Sequence, residues 1–280
     1  MKIGRCTDGD AVFWAVIDPE ADSATPLPGP IAAWAPMVMD GAVPTAAAGR
    51  TRGLSDLTLL PPLERGSTVV VAGANYSSHL VALGSALSDR PAMLLKPHNA
   101  IIGTGQEIAF SPLTEQLDYE VELVAVIGAA RPGPSESAVS AWDRILGYTV
   151  GNDVTARDLA LGGVLKVDMF SAKVLDHATG LGPWIVTRDE FGDGQPDLEL
   201  TLSVDGEVRQ HDRTSSMARN VAELLDYADA RTSLGPGDIL FTGTPAGVGH
   251  EDGRYLQPGQ KVVASVEGIG SITNVVGPRG

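Results

Sequence analysis

Two glutamates, Glu120 and Glu122, are separated by a single residue in the segment 117–128, LDYEVELVAVIG. The apolar and β-branched residues around them predict a strand, and a strand directs residues i and i+2 to the same face. The two carboxylates are therefore expected side by side, about 7 Å apart along the strand, while Val121 and Leu123 point into the core. Such a pair can share a divalent cation, and all-oxygen ligation favours Mg²⁺, Mn²⁺ or Ca²⁺ over zinc.

A Glu-x-Glu pair on a strand is not specific by itself, because a solvent-facing acidic pair has the same pattern. A metal site needs a third ligand, and the candidate is Asp153 in the glycine-flanked segment 147–158, GYTVGNDVTARD. A strand is expected to end near Gly151, and a helix capped by Asp153 or Thr155 is expected to follow. Asp153 can therefore be either a metal ligand or only a helix cap.

Several common catalytic signatures are missing from the sequence. It contains no P-loop, no G-x-S-x-G, no H-E-x-x-H and no G-x-G-x-x-G that opens a helix. None of the five histidines pairs with another at the i, i+3 or i+4 spacing of helical zinc ligands. The single cysteine, Cys6, excludes an intrachain disulfide and a thiolate cluster. The acidic residues are what remains for chemistry.

Composition indicates a globular chain without affinity for polyanions. With 280 residues, 43% of them hydrophobic, and a mean hydropathy of +0.06, the chain can bury a full core. Its apolar runs are far shorter than the ~20 residues of a membrane helix, and its first residues lack a signal-peptide core. We therefore expect a cytoplasmic protein without membrane association. The net charge of −15 disfavours nucleic acid and anionic lipid.

Turn and proline patterns divide the chain near residue 66. Residues 1–20 read as a hairpin around Asp8-Gly9, and prolines follow at irregular intervals, so residues 1–66 are predicted to form a small N-terminal β subdomain. Residues 67–280 are predicted to form the catalytic domain. One helix is expected there from Pro134 and Ser135 through Ile145, and an amphipathic helix from about Met217 to Arg231. Strands outnumber helices without regular alternation, which argues against a doubly wound parallel sheet. The predicted fold class is α+β and β-rich, with a large mixed sheet.

Six segments of the chain carry recognisable motifs. They are GANYSSH (73–79), LLKP (94–97), LDYEVELVAVIG (117–128), GYTVGNDVTARD (147–158), SAKVLDHATGLGPWIVT (171–187) and LFTGTPAGVG (240–249). In these motifs the chain resembles the fumarylacetoacetate hydrolase family, over about residues 68–277. One such motif would be weak evidence, but six in the family's order are specific. The resemblance implies the family's large mixed-sheet or barrel-like C-terminal fold.

The resemblance also implies roles for particular residues. The metal ligands would be Glu120, Glu122 and Asp153, which hold Mg²⁺, with Mn²⁺ or Ca²⁺ as alternatives. The general base would be His79, and Lys173 would be the cation that faces the substrate. Without the motif, His79 would read as an ordinary helix residue whose ring is satisfied by the backbone.

Three further residues are implied to bind the substrate, a small oxo acid. They are Tyr76 in the loop before His79, Arg157 after the third ligand, and Thr244 in the Thr-Gly-Thr-Pro turn. Arg157 could instead form a surface ion pair, and Thr244 could be only a turn residue. A homodimer is expected from the resemblance alone.

The chain departs from the family's pattern at two positions. The hydrolases commonly carry Glu three residues after the loop histidine, where this chain has Ala82, and often Gln where it has Ala160. The first departure predicts a base without an orienting acid. The favoured function is a metal-dependent hydrolase that cleaves a carbon–carbon bond in a 2-oxo or β-diketo acid. The alternatives are a decarboxylase or keto–enol isomerase, which needs no activated water, and a non-catalytic protein that binds metal and dicarboxylate.

Overall fold

The fold was analysed in a computed structural model that describes residues 1–44, 49–82, 84, 86–133, 137, 139–161 and 166–280. Strands predominate in these ranges, in agreement with the predicted fold class. The strands are β1 (Lys2–Thr7), β2 (Val12–Asp18), β3 (Ser23–Pro26), β4 (Arg52–Gly53), β5 (Thr58–Leu60), β6 (Val69–Gly73), β7 (Ala92–Lys96), β8 (Ile101–Ile102), β9 (Glu107–Phe110), β10 (Leu117–Asp118), β11 (Val121–Ile127), β12 (Ile145–Asn152), β13 (Thr155–Ala156), β14 (Thr179–Thr187), β15 (Glu199–Val204), β16 (Glu207–Arg213), β17 (Ile239–Phe241), β18 (Lys261–Val266) and β19 (Gly270–Arg279). The α-helices are α1 (Ile31–Met39), α2 (Ser77–Ala82), α3 (Met169–Lys173), α4 (Val221–Asp229) and α5 (Gly249–Asp252).

A large mixed sheet runs through the molecule in the order β4-β3-β2-β1-β14-β12-β11-β17-β6-β7. Most neighbours are antiparallel, whereas β17 pairs with β6 and β8 pairs with β14 in parallel. A second sheet has the order β16-β15-β18-β19-β9. The strand β11 lies inside the large sheet and is buried along its whole length, as its nearly unbroken apolar sequence predicts.

The two faces of β11 serve different cores. Val121 and Leu123 pack in a cluster with residues of the second sheet, such as Leu202. Val124 packs in another cluster with Trp34 of α1. The predicted direction of Val121 and Leu123 is confirmed. Glu122 has the same parity as Val124, so the strand directs its carboxylate away from the first of these cores.

The N-terminal strands are hydrogen-bonded into the same sheet as the rest of the chain. The predicted hairpin is present as β1 and β2, and β1 also pairs with β14 through Lys2 and Ile3. The boundary near residue 66 stays a prediction. Within the described ranges, no helix is both long and apolar enough to cross a membrane.

Two helices predicted from the sequence are wrong. The segment after Asp153 forms β13 and a 3₁₀ turn, Arg157–Leu159, because β13 pairs with β10. The helix expected from residues 134 and 135 to Ile145 is a 3₁₀ turn, Trp142–Arg144, followed at once by β12; residues 134–136 and 138 lie outside the described residues. The helix predicted over residues 217–231 is confirmed in a shorter form, α4.

Candidate active site

Three buried carboxylates form a cluster at one end of β11. Glu122 lies in β11, Glu120 lies in the short break between β10 and β11, and Asp153 follows β12. The pairing of β11 with β12 brings these segments together, and the Asp153 amide donates to the Glu120 carbonyl oxygen at 2.8 Å. The three residues are 5%, 1% and 0% exposed in the order Glu120, Glu122 and Asp153. A solvent-facing acidic pair is therefore excluded.

The spacing of the cluster fits a divalent cation. One carboxylate oxygen from each of Glu120, Glu122 and Asp153 lies within 4.8 Å of the other two. Oxygen ligands about 2.0 to 2.6 Å from one ion lie within about 4 to 5 Å of each other. No helix begins at Asp153, so its carboxylate is not used as a cap. These residues could hold Mg²⁺, Mn²⁺ or Ca²⁺.

Two buried lysines contact the same carboxylates. The ammonium nitrogen of Lys173, the last residue of α3, lies 2.6 Å from Glu120 and 2.5 Å from Asp153. Burial opposes this charge, but Asp153 and Glu120 raise the pKa of Lys173 above its ordinary value. Lys96 lies 2.8 Å from the second oxygen of Asp153, and burial lowers its pKa. From the sequence alone, Lys96 has no assigned role beyond its place in the Leu-Lys-Pro motif.

Arg157 connects the cluster to a further buried acid. Its Nε lies 2.8 Å from Asp118, and one of its terminal nitrogens lies 2.5 Å from Glu120. The side chain of Arg157 is only 12% exposed, so the alternative of a surface ion pair is excluded. Asp118 also accepts hydrogen bonds from the amides of Gly249 and His250. One carboxylate therefore positions both Arg157 and the beginning of α5.

Glu120 and Glu122 differ in their electrostatic surroundings. Burial would raise the pKa of Glu120, but Lys173 and Arg157 lower it to about 2. Burial raises the pKa of Glu122 well above its usual value, and repulsion from Asp153 and Glu120 adds to the effect. Without a cation, these surroundings favour the protonated form of Glu122.

A glycine turn supports Glu122. The amide of Gly243 donates to a carboxylate oxygen of Glu122 at 2.7 Å. Gly243 has a φ of +94°, and a Cβ at this position would meet the Cβ of Asn75 at 2.9 Å. Only glycine fits both the backbone angle and the close approach. The glycine of the Thr-Gly-Thr-Pro turn is therefore required by the geometry around Glu122.

His79, in α2, has an acidic neighbour that the sequence did not reveal. Its Nδ1 lies 3.6 Å from Oε1 of Glu251 in α5, and this buried nitrogen has no hydrogen-bond partner in the described part of the chain. The other oxygen of Glu251 accepts from the Gly247 amide at 2.9 Å, so the side chain is held facing the ring. The only sequence signal was that Glu251 follows the last family motif by two residues.

The pKa of His79 favours a neutral ring. Burial lowers this pKa, and Glu120 opposes the effect, as Glu251 does more weakly, while Arg157 lowers it further. The balance lies below the ordinary value of the imidazole, so the ring can accept a proton near pH 7. His79 lines the same cavity as the three carboxylates.

The remaining predicted residues are placed differently. Thr244 lines the cavity, but its hydroxyl donates to the Val121 carbonyl at 2.8 Å and accepts from Gln210 at 2.9 Å. Tyr76 is 0% exposed, belongs to the core shared with the second sheet, and is not among the cavity-lining residues. Its hydroxyl has no hydrogen-bond partner in the described residues. The cavity has a volume of about 360 Å³.

Comparison with known proteins identifies the family. The model of the family described as "Fumarylacetoacetate (FAA) hydrolase C-terminal" matches residues 68–277. The chain belongs to the fumarylacetoacetate hydrolase family. This confirms the resemblance that its motifs indicated.

The relatives include enzymes that are named for different reactions. Maleylpyruvate hydrolase of Aquipseudomonas alcaligenes is 35% identical over 79% of this chain and 76% of its own length. Oxaloacetate tautomerase YisK of Bacillus subtilis is 33% identical over 80% of this chain and 74% of its own length. The chain is therefore an enzyme of this family, and the non-catalytic alternative is set aside.

Solved structures support the fold and a divalent metal. A 5-carboxymethyl-2-hydroxymuconate delta-isomerase from Mycobacterium smegmatis superposes with a TM-score of 0.81 at 33% identity, over 99% of both chains. Fumarylpyruvate hydrolase from Pseudomonas aeruginosa, in complex with Mn²⁺ and pyruvate, superposes with a TM-score of 0.65 at 29% identity, over 79% of this chain and 91% of that one. Together with the acidic cluster, the Mn²⁺ in that relative points to a divalent metal here.

Proposed function

We propose that the protein is a Mg²⁺-dependent hydrolase that cleaves a carbon–carbon bond in a 2-oxo or β-diketo acid of the acylpyruvate type. The observation that carries the proposal is the cluster of Glu120, Glu122 and Asp153, which lines one cavity together with His79. Relatives named maleylpyruvate hydrolase and fumarylpyruvate hydrolase support this substrate class. Mn²⁺ and Ca²⁺ are alternative ions for the same oxygen donors.

The residues of the cavity can be assigned complementary roles. When bound, Mg²⁺ supplies Lewis-acid stabilisation of the negative charge that develops on the oxo acid. His79 accepts a proton from water as the water oxygen bonds to the distal carbonyl carbon, C4. The C3–C4 bond then breaks, its electron pair moves to C3, and C3 takes up the proton that His79 received from the water, which gives pyruvate. The distal fragment leaves as a carboxylic acid.

The cations of the site would act on charge and orientation. Lys173 stabilises the negative charge that develops during cleavage, because its ammonium group is buried and fixed before the reaction begins. Arg157 binds the substrate carboxylate, and Thr244 and Tyr76 are proposed to help position the substrate. Glu251 orients the ring of His79. A homodimer, expected from the family resemblance alone, and a cytoplasmic location, expected from the sequence, remain predictions.

Decarboxylation or keto–enol isomerisation is the second candidate. The relative named oxaloacetate tautomerase and the structural neighbour named as an isomerase favour it. These reactions need the metal and the cations but no activated water. The choice between hydrolysis and these reactions therefore depends on how well His79 is oriented to accept a proton from water. Glu251 is the residue that would orient it.

The proposal is tested with metal and a panel of oxo acids. The protein is treated with EDTA, dialysed and incubated with acylpyruvates and oxaloacetate, with and without Mg²⁺, and the products are followed by NMR. We expect acylpyruvates to give pyruvate and a carboxylic acid only when Mg²⁺ or Mn²⁺ is present. Full activity of the chelated protein would contradict the metal requirement, and turnover of oxaloacetate alone would favour the second candidate.

A further inference from the structure

The cavity lining separates into a charged group and an apolar group. The charged residues surround the carboxylate cluster. The apolar ones come from the strands β6 and β7 and from the segment that leads into α3. The apolar lining residues with the largest side chains form what we call the apolar wall of the cavity. They are Val71, Met93, Leu94, Val167 and Met169.

The positions on α3 and β7 show where the apolar region lies. Met169 precedes Lys173 by four residues on α3, so the two share a helix face and lie about 6 Å apart along the axis. Leu94 precedes Lys96 by two residues on β7, so these two share a strand face about 7 Å apart. Each lysine of the cluster thus has an apolar lining residue one periodic step away on its own element.

The cations of the site are already engaged. Arg157 and Lys173 are the Arg and Lys side chains among the described lining residues, and both form ion pairs with Glu120. In the proposed function Arg157 binds the carboxylate at the 2-oxo end and Lys173 faces the charge that develops during cleavage, so neither is left for a second carboxylate. Residues 162–165, which the structure does not describe, are two glycines, a valine and a leucine, so they add no charge. A second carboxylate at the far end of a substrate would therefore lack a counter-ion, and its partial desolvation against apolar side chains would be unfavourable.

Two residues of the apolar wall are exposed enough for a ligand to cover them. Val167 is 55% exposed and Met169 is 37% exposed, although both line the cavity. An uncharged hydrocarbon chain that lies against them removes apolar surface of both partners from water. A distal carboxylate gains no such contact.

We infer that the site selects oxo acids whose distal substituent is an uncharged apolar chain over those that end in a second carboxylate. The inference rests on the proposed function, since the metal must hold the 2-oxo acid end for the other end to reach the apolar wall. It names the class of substrate within that function. Arg90 and Lys166 flank the lining segments in sequence, but both are exposed and neither is a lining residue.

A matched pair of uncleavable ligands tests the selection. Binding of 2-oxooctanoate and 2-oxooctanedioate to the Mg²⁺-loaded protein is measured by calorimetry, because the two differ only in a terminal methyl or carboxylate. We expect 2-oxooctanoate to bind at least about tenfold more tightly. Equal binding, tighter binding of the dicarboxylate, or no binding of either at millimolar concentration overturns the inference. The expected preference without hydrolysis of any acylpyruvate would contradict only the proposed hydrolysis.

A charge placed on the apolar wall provides the second test. Met169→Arg should reduce the preference for 2-oxooctanoate at least about tenfold, and Val167→Lys serves the same purpose if the first variant does not fold. Phe170→Arg is the matched control, because it adds the same charge to the same helix at a residue that is 75% exposed and lines a different groove. An equal effect of Met169→Arg and Phe170→Arg would overturn the placement of the distal chain.

Discussion

At the scale of single residues, most buried carboxylates of the site pair with a cationic side chain, and a metal ion would pair with the one that does not. The carboxylates of Glu120, Asp153 and Asp118 each face at least one cation within 3 Å. Glu122 accepts a backbone hydrogen bond instead, and no ion pair to it is found in the described residues. It is therefore the ligand whose proton a metal would displace.

Glu122→Gln is expected to abolish the thermal stabilisation by Mg²⁺ while leaving the metal-free protein folded. The folded state raises the pKa of Glu122, so its stabilising effect is present at pH values below the unfolded pKa and is lost as pH rises through the folded pKa. Glutamine removes the free-energy cost of ionising a buried carboxyl group at neutral pH, and its side-chain oxygen still accepts the hydrogen bond from the Gly243 amide. The metal-free variant should melt no lower than wild type, and a hundredfold excess of Mg²⁺ over Kd should raise Tm by roughly 5 °C or more in wild type only.

The matched control is Glu115→Gln, at a side chain that is 75% exposed. In wild type, the affinity for Mg²⁺ should increase with pH, because binding releases the proton of Glu122. Unchanged stabilisation of Glu122→Gln by Mg²⁺ would show that this residue is not a ligand.

Lys173→Ala is expected to lower kcat by roughly 10²- to 10³-fold and to change KM much less. The reason is that charge stabilisation acts mainly in the transition state. Steady-state kinetics on an acylpyruvate gives both constants, and calorimetry should show Mg²⁺ affinity that is not weaker. Lys166→Ala, at an exposed residue of the preceding segment, is the control. A normal kcat in Lys173→Ala would mean that the ammonium group is only structural.

Two kinds of sequence signal predicted the residues of the cluster. Strand periodicity placed Glu120 and Glu122 side by side, although Glu120 lies in the break just before β11. Asp153 was a candidate from its glycine-flanked segment and from the family's motif. Glu251 could not be found in this way, because its approach to His79 depends on how α2 and α5 pack. The full burial of Tyr76 is likewise a consequence of packing.

At the scale of elements, α2 and α5 together determine how His79 is held. The sequence predicts a poor water activator because Ala82 replaces an acid on the same helix as His79. The structure places the carboxylate of Glu251 at 3.6 Å from Nδ1, from a different helix. This distance is longer than a hydrogen bond, and a small movement of either side chain would close it.

Glu251→Gln is expected to lower acylpyruvate hydrolysis at least about tenfold, within the roughly 10²- to 10⁴-fold that general-base catalysis supplies. Oxaloacetate decarboxylation, which needs no attacking water, should change little. Ala82→Glu in the Glu251→Gln background should restore hydrolysis, because His79 and residue 82 lie at i and i+3 on α2. In wild type, the same substitution should add much less.

Two further comparisons distinguish an arrangement in which Glu251 orients His79 from one in which the base has no orienting acid. If Ala82→Glu raises hydrolysis several-fold in wild type and Glu251→Gln has no effect, the base lacks an orienting acid, as the sequence alone suggests. Glu251→Asp should retain more hydrolysis than Glu251→Gln, because it keeps the charge. The rates are compared from NMR time courses on both substrates.

The errors in predicting elements have a common physical cause. Asp and Thr after a strand indicate a helix cap, but in the segment after Asp153 the β13–β10 pairing uses the same backbone groups. The shorter α4 begins at a capping box formed by Asn220 and Glu223, which lies inside the predicted range. Local signals locate an element, whereas tertiary pairing decides its type and ends.

At the scale of the whole molecule, the N-terminal segment and the rest of the chain share one core. Ile3, Trp14 and Trp34 pack in the same cluster as Val124 and Phe241, which belong to the strands beside the site. The proline-rich sequence suggested a separate unit because it lacks periodicity. A shared core predicts that residues 1–66 unfold together with the catalytic part.

Labelling of Cys6 tests this cooperativity. Cys6 is 0% exposed in β1, and burial raises the pKa of its thiol to about 11. At pH 8 the folded thiol is protonated and shielded, so a disulfide reagent should react only with molecules in which β1 has opened. Its raised pKa also means that its contribution to stability is present below the unfolded value near 9 and is lost as pH approaches 11. Labelling should therefore accelerate with pH.

The effect of Mg²⁺ on this labelling rate distinguishes one cooperative unit from two. If β1 opens only when the whole chain unfolds, Mg²⁺ at a hundredfold excess over Kd should slow labelling about 100-fold, because it binds only the folded state. We expect this slowing, since β1 pairs directly with β14. Mg²⁺ should have no effect in Glu122→Gln, which serves as the control. A labelling rate that ignores Mg²⁺ in wild type, while Tm still rises, would show that residues 1–66 open independently and that the boundary near residue 66 is real.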